Sequence, residues 1–253
     1  MNLIKKAFDI LDLFLDHGPE LSLEDMSKLS SINKATTRRI AVMLIDIGCL
    51  KQPAKRAKYS LGMRFLDFSG VIKKNNGIID IANPVLMKIS HKMNESVGIA
   101  LWDGIDSALV QFFHADRLLK VVPEEGTKLG MYYSSMGKMI LAELSESEQQ
   151  RFISGKLVSF TENTITNREK LKQHLLKIKK DGAAFDDEEY AVGVRGVAVP
   201  LKNSRGELLG AIGMVGPSAR ISNARLKEWV PLLNNSSNEI CRLIDYKGLK
   251  KRF

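Results

Sequence analysis

The chain has 253 residues, 44% of them hydrophobic and 26% charged, with a formal net charge of +9. That balance belongs to a globular protein of one or two domains, two being the expectation, and it excludes disordered, fibrous and disulfide-framed chains. Cys49 and Cys241 are far apart in apolar helical patterns, which fits a reducing, cytoplasmic setting, and no apolar run reaches the roughly 18 residues of a membrane span. Asp9, Asp12 and Asp16 interrupt the N-terminal segment, so a secretory leader is not expected.

Residues 3–15 repeat apolar groups at Ile4, Ala7, Phe8, Leu11, Phe14 and Leu15, a helical period that His17, Gly18 and Pro19 stop. Ser22 with Asp25 three residues on reads as a capping box opening a short second helix with Leu23, Met26 and Leu29 inward. After a turn at 30–32, a third helix runs from Asn33 to Gly48. Its pattern sets Thr36, Ile40, Met43, Leu44 and Ile47 inward and Lys34, Thr37, Arg38 and Val42 outward.

Residues 50–52 and 58–61 then form two short strands about a cationic tip. Three helices, a tight turn between the second and third, and a basic hairpin make a winged helix-turn-helix. A linker helix is expected over 64–74, with the boundary at Asn75, Asn76 and Gly77.

Charge is concentrated in this region. Residues 33–64 hold eight cations against one anion, Asp46, whereas the preceding residues are acidic. A third helix in a major groove would turn Lys34, Thr37 and Arg38 toward base edges and phosphates, with Thr36, Arg39 and the hairpin residues Lys55, Arg56 and Lys58 on the backbone. A solvated charged face is the plainer reading of the helix alone; the turn and the basic hairpin together favour nucleic acid.

Beyond residue 77 the texture is α+β. Residues 78–93 are amphipathic, 97–102, 108–113 and 119–122 read as strands, and 135–144, 146–153 and 168–180 as helices. A hairpin over 194–201 and 207–215 and a long helix over 223–245 complete the pattern. Strands flanked by segregated helices give an α+β domain.

Catalytic readings do poorly. His17, His91, His114 and His174 lack metal-ligand spacing, and no phosphate-binding loop or nucleophile elbow appears, so no catalytic set, metal or cofactor is expected. Gly210, Gly213 and Gly216 fall inside a strand pattern and mark close packing or backbone approach to a ligand rather than a dinucleotide loop. The acidic run Asp186, Asp187, Glu188 and Glu189 reads as a solvated loop, with pocket lining and cation binding as alternatives.

Four stretches together resemble the isocitrate lyase regulator (IclR) family of bacterial transcription factors: residues 32–39 at the third helix, 59–62 closing the hairpin, 133–142, and 186–200. The resemblance covers nearly the whole chain. It implies a winged helix-turn-helix at 1–62, a linker helix at 63–77 and a GAF-like effector-binding and oligomerisation domain at 78–253, forming a homodimer or homotetramer.

By the same resemblance the effector pocket falls near Leu129, Ser135, Met136, Asp186, Gly196, Gly213 and Val215, and the effector is a small organic acid. Members of the family that grip small keto acids tend to have a cysteine where Gly196 stands and serines where Gly213 and Val215 stand. Their loss implies a roomier, more apolar pocket and a larger sugar-derived or aromatic acid. A serine is also usual where Ala35 stands. The function implied is a ligand-responsive DNA-binding regulator, a repressor of a catabolic operon. The alternative is a small-metabolite enzyme whose N-terminal unit is a nucleic-acid or protein adaptor, and the poor catalytic inventory counts against it.

Overall fold

The computed structural model describes residues 2–53, 58–75, 77–123, 126 and 128–247. The chain divides into two compact units, Met1–Asn75 and Asn76–Phe253.

In the first unit α1 (Leu3–Asp16), α2 (Leu23–Ser30) and α3 (Lys34–Asp46) pack around a core of Ile10, Leu13, Phe14, Met26, Ile40 and Leu44. Local signals set the helix starts. Ser22 and Asp25 form a reciprocal capping box at α2, and Asn33 Oδ1 accepts from Thr36 N at α3. Strands β1 (Leu21–Ser22), β2 (Leu50–Lys51) and β3 (Lys58–Leu61) make an antiparallel sheet in the order β1-β3-β2, the first strand being one that the sequence pattern did not show. The α4 helix follows (Arg64–Asn75).

Helix phase differs from the sequence reading. On α3 the buried residues are Thr37, Ile40, Ala41 and Leu44, while Met43 is 37% and Ile47 50% exposed. On α1, Ile4, Phe8 and Leu15 face solvent and Ile10 is fully buried. Short helices rich in apolar residues offer two overlapping stripes, and tertiary packing selects one.

The second unit is a five-stranded antiparallel sheet, ordered β5-β4-β8-β7-β6, built from β4 (Ser96–Trp102), β5 (Ser107–Phe113), β6 (Ala184–Asp187), β7 (Val194–Lys202) and β8 (Leu208–Pro217). Its helices are α5 (Gly77–Met93), α6 (Ser135–Glu143), α7 (Glu146–Ile153), α8 (Arg168–Asp181) and α9 (Asn223–Tyr246). The proposed strand at 119–122 is absent: that segment is irregular, with Leu119 and Val122 exposed.

Side-chain size is partitioned across this sheet. One face carries Val97, Ile99, Leu101, Val197, Val199, Leu201 and Ile212 against α5 and α9. The other carries Ala100, Ala184, Ala198 and Ala211, with Gly98, Gly196 and Gly213 in register among them, against α6 and α8. Small residues let α6 lie close to the sheet. Within the sheet, Gly210 marks a close approach of β8 to β4, since a Cβ there would stand 1.9 Å from Ala100 O. Gly210→Ala is therefore expected to destabilise the fold by about 3 kcal/mol or more through overpacking, read as a lowered midpoint in chemical denaturation; an unchanged midpoint would refute the close approach.

Candidate functional site

Two polar constellations stand apart from the cores. The first is the exposed face of α3. Lys34, Arg38 and Arg39 are exposed there, opposite the buried stripe, and Thr36 is partly exposed. Lys58 on β3 is exposed as well, whereas Lys55 and Arg56 lie outside the described residues.

Thr37 does not belong to this face. It is fully buried, and its hydroxyl donates to Ile32 O at 3.2 Å and Asn33 O at 3.1 Å, tying the turn before α3 to the helix. Arg64, counted with the basic stretch, donates through Nη1 to Ile47 O at 2.7 Å and so closes the C-terminal end of α3.

The second constellation lies where α6 starts. Ser134 caps the helix, accepting from Gly137 N and donating to Gly130 O, and its carbonyl accepts from Lys138 N. The first-turn donors outside these bonds are the N–H groups of Ser135 and Met136. Ser135 lies over Gly196, where a Cβ would stand 3.0 Å from its Oγ, and Met136 lies over Gly213, where a Cβ would stand 2.8 Å from its Cγ.

Register places Asp186 beside Gly196 and Gly196 beside Val215 across three strands. Leu129 packs on the same core from the preceding loop. The seven residues expected to line a pocket thus share one neighbourhood. The space over the two glycines, however, is occupied by Ser135 and Met136 rather than left roomy.

The acidic run is not a solvated loop. Asp186 is 4% and Glu189 6% exposed. Asp186 Oδ1 accepts from Glu189 N at 2.8 Å, and Glu188 Oε2 accepts from Gly193 N at 2.7 Å, helping to hold Glu188 at φ 58°. Asp187 pairs with Arg195 and accepts from Asn223, and Arg195 also reaches Glu188. Glu189 Oε1 meets Nζ of Lys138, which is fully buried on α6. From the far side, Thr161 and Thr164 donate to the carbonyls of Glu188 and Glu189.

Over this turn sits an aromatic roof. Tyr133 stacks on Tyr190 with centroids 5.3 Å apart, and Phe160 tilts against both. Tyr132 fixes the loop below by donating to Val158 O and accepting from Val158 N.

Sequence reading missed Lys138 and the roof as site features, and it read Glu189 first as part of a solvated loop, with pocket lining as an alternative. A lone lysine amid Met136, Met139 and Ile140 was the available signal, since a charge on an apolar helix face must find a partner.

Burial pushes the Asp186 carboxyl up to about 6, opposed by the Glu189 N–H and the Lys138 charge. Burial also raises Glu189, outweighing its bond to Lys138. His174 on α8 goes the other way, lowered to about 4 by burial and by repulsion from Lys138 and Lys177.

A winged helix-turn-helix unit followed by an α+β unit is the build of a DNA-binding regulator. Residues 71–242 match the family model for the C-terminal region of bacterial IclR transcriptional regulators, and residues 3–54 match the IclR helix-turn-helix domain. The chain belongs to the IclR family: it is a DNA-binding transcriptional regulator, not an enzyme.

It is 26% identical over 244 residues to the HTH-type transcriptional regulator XynR of Escherichia coli K12, covering 96% of this chain and 97% of that one. It is 24% identical over 250 residues to the transcriptional repressor IclR of the same organism, covering 98% and 90%. An IclR homologue from Microbacterium hydrocarbonoxydans, solved in complex with 4-hydroxybenzoate, has the same fold with a TM-score of 0.77 at 17% identity, covering 97% of this chain and 100% of that one. Among the described residues no helix is long and apolar enough to cross a membrane, and no group of three or more His, Cys, Asp or Glu side chains is arranged to hold a metal ion.

The buried ionisable groups give stability a defined pH dependence. A carboxyl raised in the folded state, as Asp186 is, stabilises fully below 3.8 and loses that contribution as pH climbs through about 6. A depressed imidazole does the reverse: the His174 contribution is present above 6.5 and lost as pH falls toward about 4. The two slopes oppose each other.

Asp186→Asn is therefore expected to steepen the rise of melting temperature between pH 4 and 6.5 and to stabilise the protein at neutral pH by up to about 3 kcal/mol. His174→Gln should steepen the fall instead. Profiles that superimpose on wild type would show that neither group titrates in this window.

Proposed function

We propose that the protein represses a catabolic operon in the cytoplasm by binding operator DNA as a homo-oligomer through α3 and the wing, and that a small organic acid bound beside α6 governs that binding. The observation carrying the DNA half is the exposure of Lys34, Arg38 and Arg39 opposite the buried Thr37, Ile40, Ala41 and Leu44. Lys34 and Arg38, one turn apart, suit base edges; Thr36, Arg39 and the wing cations Lys55, Arg56 and Lys58 suit phosphates.

Self-association is supported by α4, where Phe68, Val71 and Ile72 are 50–62% exposed at helical spacing on one face. The repressor named among its relatives supports the sign, and the homologue holding 4-hydroxybenzoate supports an organic acid as effector. Donors at the head of α6 suit a carboxylate, and Leu129, Ser135, Met136, Asp186, Gly196, Gly213 and Val215 form the proposed site. Effector and DNA must each favour a different state for the coupling to exist.

Anisotropy titrations on an operator obtained by in vitro selection test the DNA half. With roughly six phosphates neutralised per protomer, the log-log salt slope should be near −5 per half-site, and Arg39→Ala should reduce it by about one. Arg38→Ala should relax sequence preference as well as weaken binding. Thr37→Val, by contrast, should cost stability of about 1 kcal/mol and leave affinity unchanged where the variant is folded. A shallow slope, or DNA binding indifferent to both arginines, would refute this docking.

A further inference from the structure

The acidic turn holds an acceptor that its own contacts do not use. Glu189 faces α6, where Oε1 engages Lys138, yet Oε2 of the same carboxylate is buried and has no hydrogen-bond partner among the described residues. The residue is 6% exposed, so solvent does not satisfy that oxygen freely.

Charge counting sharpens the point. Lys138 is the buried cation here and faces two buried carboxylates, Asp186 and Glu189, with an uncharged His174 behind it on α8. A ligand carboxylate placed at this end would meet two negative groups and one positive group already engaged. A donor would meet an open acceptor.

We propose that Glu189 is an effector-contact residue whose free Oε2 accepts a hydrogen bond from a hydroxyl group of the ligand, so that the effector is an acid with a hydroxyl remote from its carboxylate. This deepens the organic-acid reading and rests on it. The carboxylate goes to the N–H groups of Ser135 and Met136. Buried Asp186 and Glu189 repel a ligand carboxylate from this end, so the hydroxyl that reaches Oε2 is one carried away from the acid group, and a hydroxyl adjacent to the carboxylate is too near to serve. Simple keto acids and unsubstituted fatty or aromatic acids lack the donor altogether.

Matched probes separate the possibilities on the full-length protein. Thermal shift is measured with 4-hydroxybenzoate against benzoate, gluconate against hexanoate, and lactate as the acid with only a near hydroxyl. In at least one pair the hydroxylated member should bind at least about tenfold more tightly than its partner, with lactate as weak as the unsubstituted acids.

Removing Glu189 alone strands buried Lys138, so the variant used is Lys138→Met with Glu189→Leu, which replaces the ion pair by apolar groups. In that background the preference should fall to about onefold while residual carboxylate binding remains. Equal binding of both members of every pair in wild type, or a preference that survives the double substitution, would overturn the assignment. No shift from any acid would overturn the organic-acid reading itself, and this inference with it.

Discussion

The second unit is organised around one buried ion pair. Lys138 and Glu189 are 51 residues apart in sequence and meet where water is excluded. Two charges in such a place are tolerated only while each has the other, and removing one strands its partner at a cost of about 3–5 kcal/mol. That constraint fixes the position of the acidic turn against α6. Once Glu189 is fixed, Asp186 is drawn to the Glu189 N–H, Thr164 takes the Glu189 carbonyl, and Tyr190 is set against Tyr133. A ligand that alters the environment of Glu189 therefore acts on the turn, the roof and the head of α6 together, because packed polar networks shift as units rather than residue by residue.

The pair can form only because α6 lies close to the sheet, and that closeness is written in side-chain size. Alanine and glycine on the strands beneath α6 remove the bulk that would hold it off, while valine, isoleucine and leucine fill the opposite face under α5 and α9. Ser135 and Met136 then sit over Gly196 and Gly213. The same glycines that receive Ser135 and Met136 thus bring the lysine within reach of its carboxylate. Substitution there would disturb packing, the ion pair and the site at once, whereas equal changes on the α5 and α9 face would disturb packing alone.

Much of this was legible in the sequence where the governing physics is local. The capping box at Ser22 and Asp25, the start of α3 at Asn33, and the hairpin of β7 and β8 about the turn at 203–206 depend on near neighbours. What depends on distant partners was not legible. The phase of α3 turned on which of two apolar stripes meets α1 and α2, and so Thr37 was placed outward although its hydroxyl serves the turn beneath it. The run 186–189 was read as solvated because four acids in a row ordinarily are; its partners Lys138, Arg195 and Asn223 are brought in by the fold. Leu119–Val122 carries strand-forming residues but lacks a neighbouring strand in register, and propensity without pairing makes no sheet.

The corrected phase of α3 also narrows what the helix can do. With Thr37 committed inward, the outward arc runs from Lys34 and Arg38 on one side, through Ala35 and Val42, to Arg39 and Met43 on the other. Arg38 and Arg39 are successive residues and so point about 100° apart. In the proposed docking one side of the helix offers Lys34 and Arg38 to bases and the other offers Arg39 to a phosphate strand, with small or apolar residues between them. An interface of that form would take its affinity from charge at both margins and its selectivity from two side chains one turn apart, so it would discriminate few base pairs per protomer. Such a reader would gain operator specificity by repetition, which is a physical argument for the proposed pairing of protomers through the exposed face of Phe68, Val71 and Ile72.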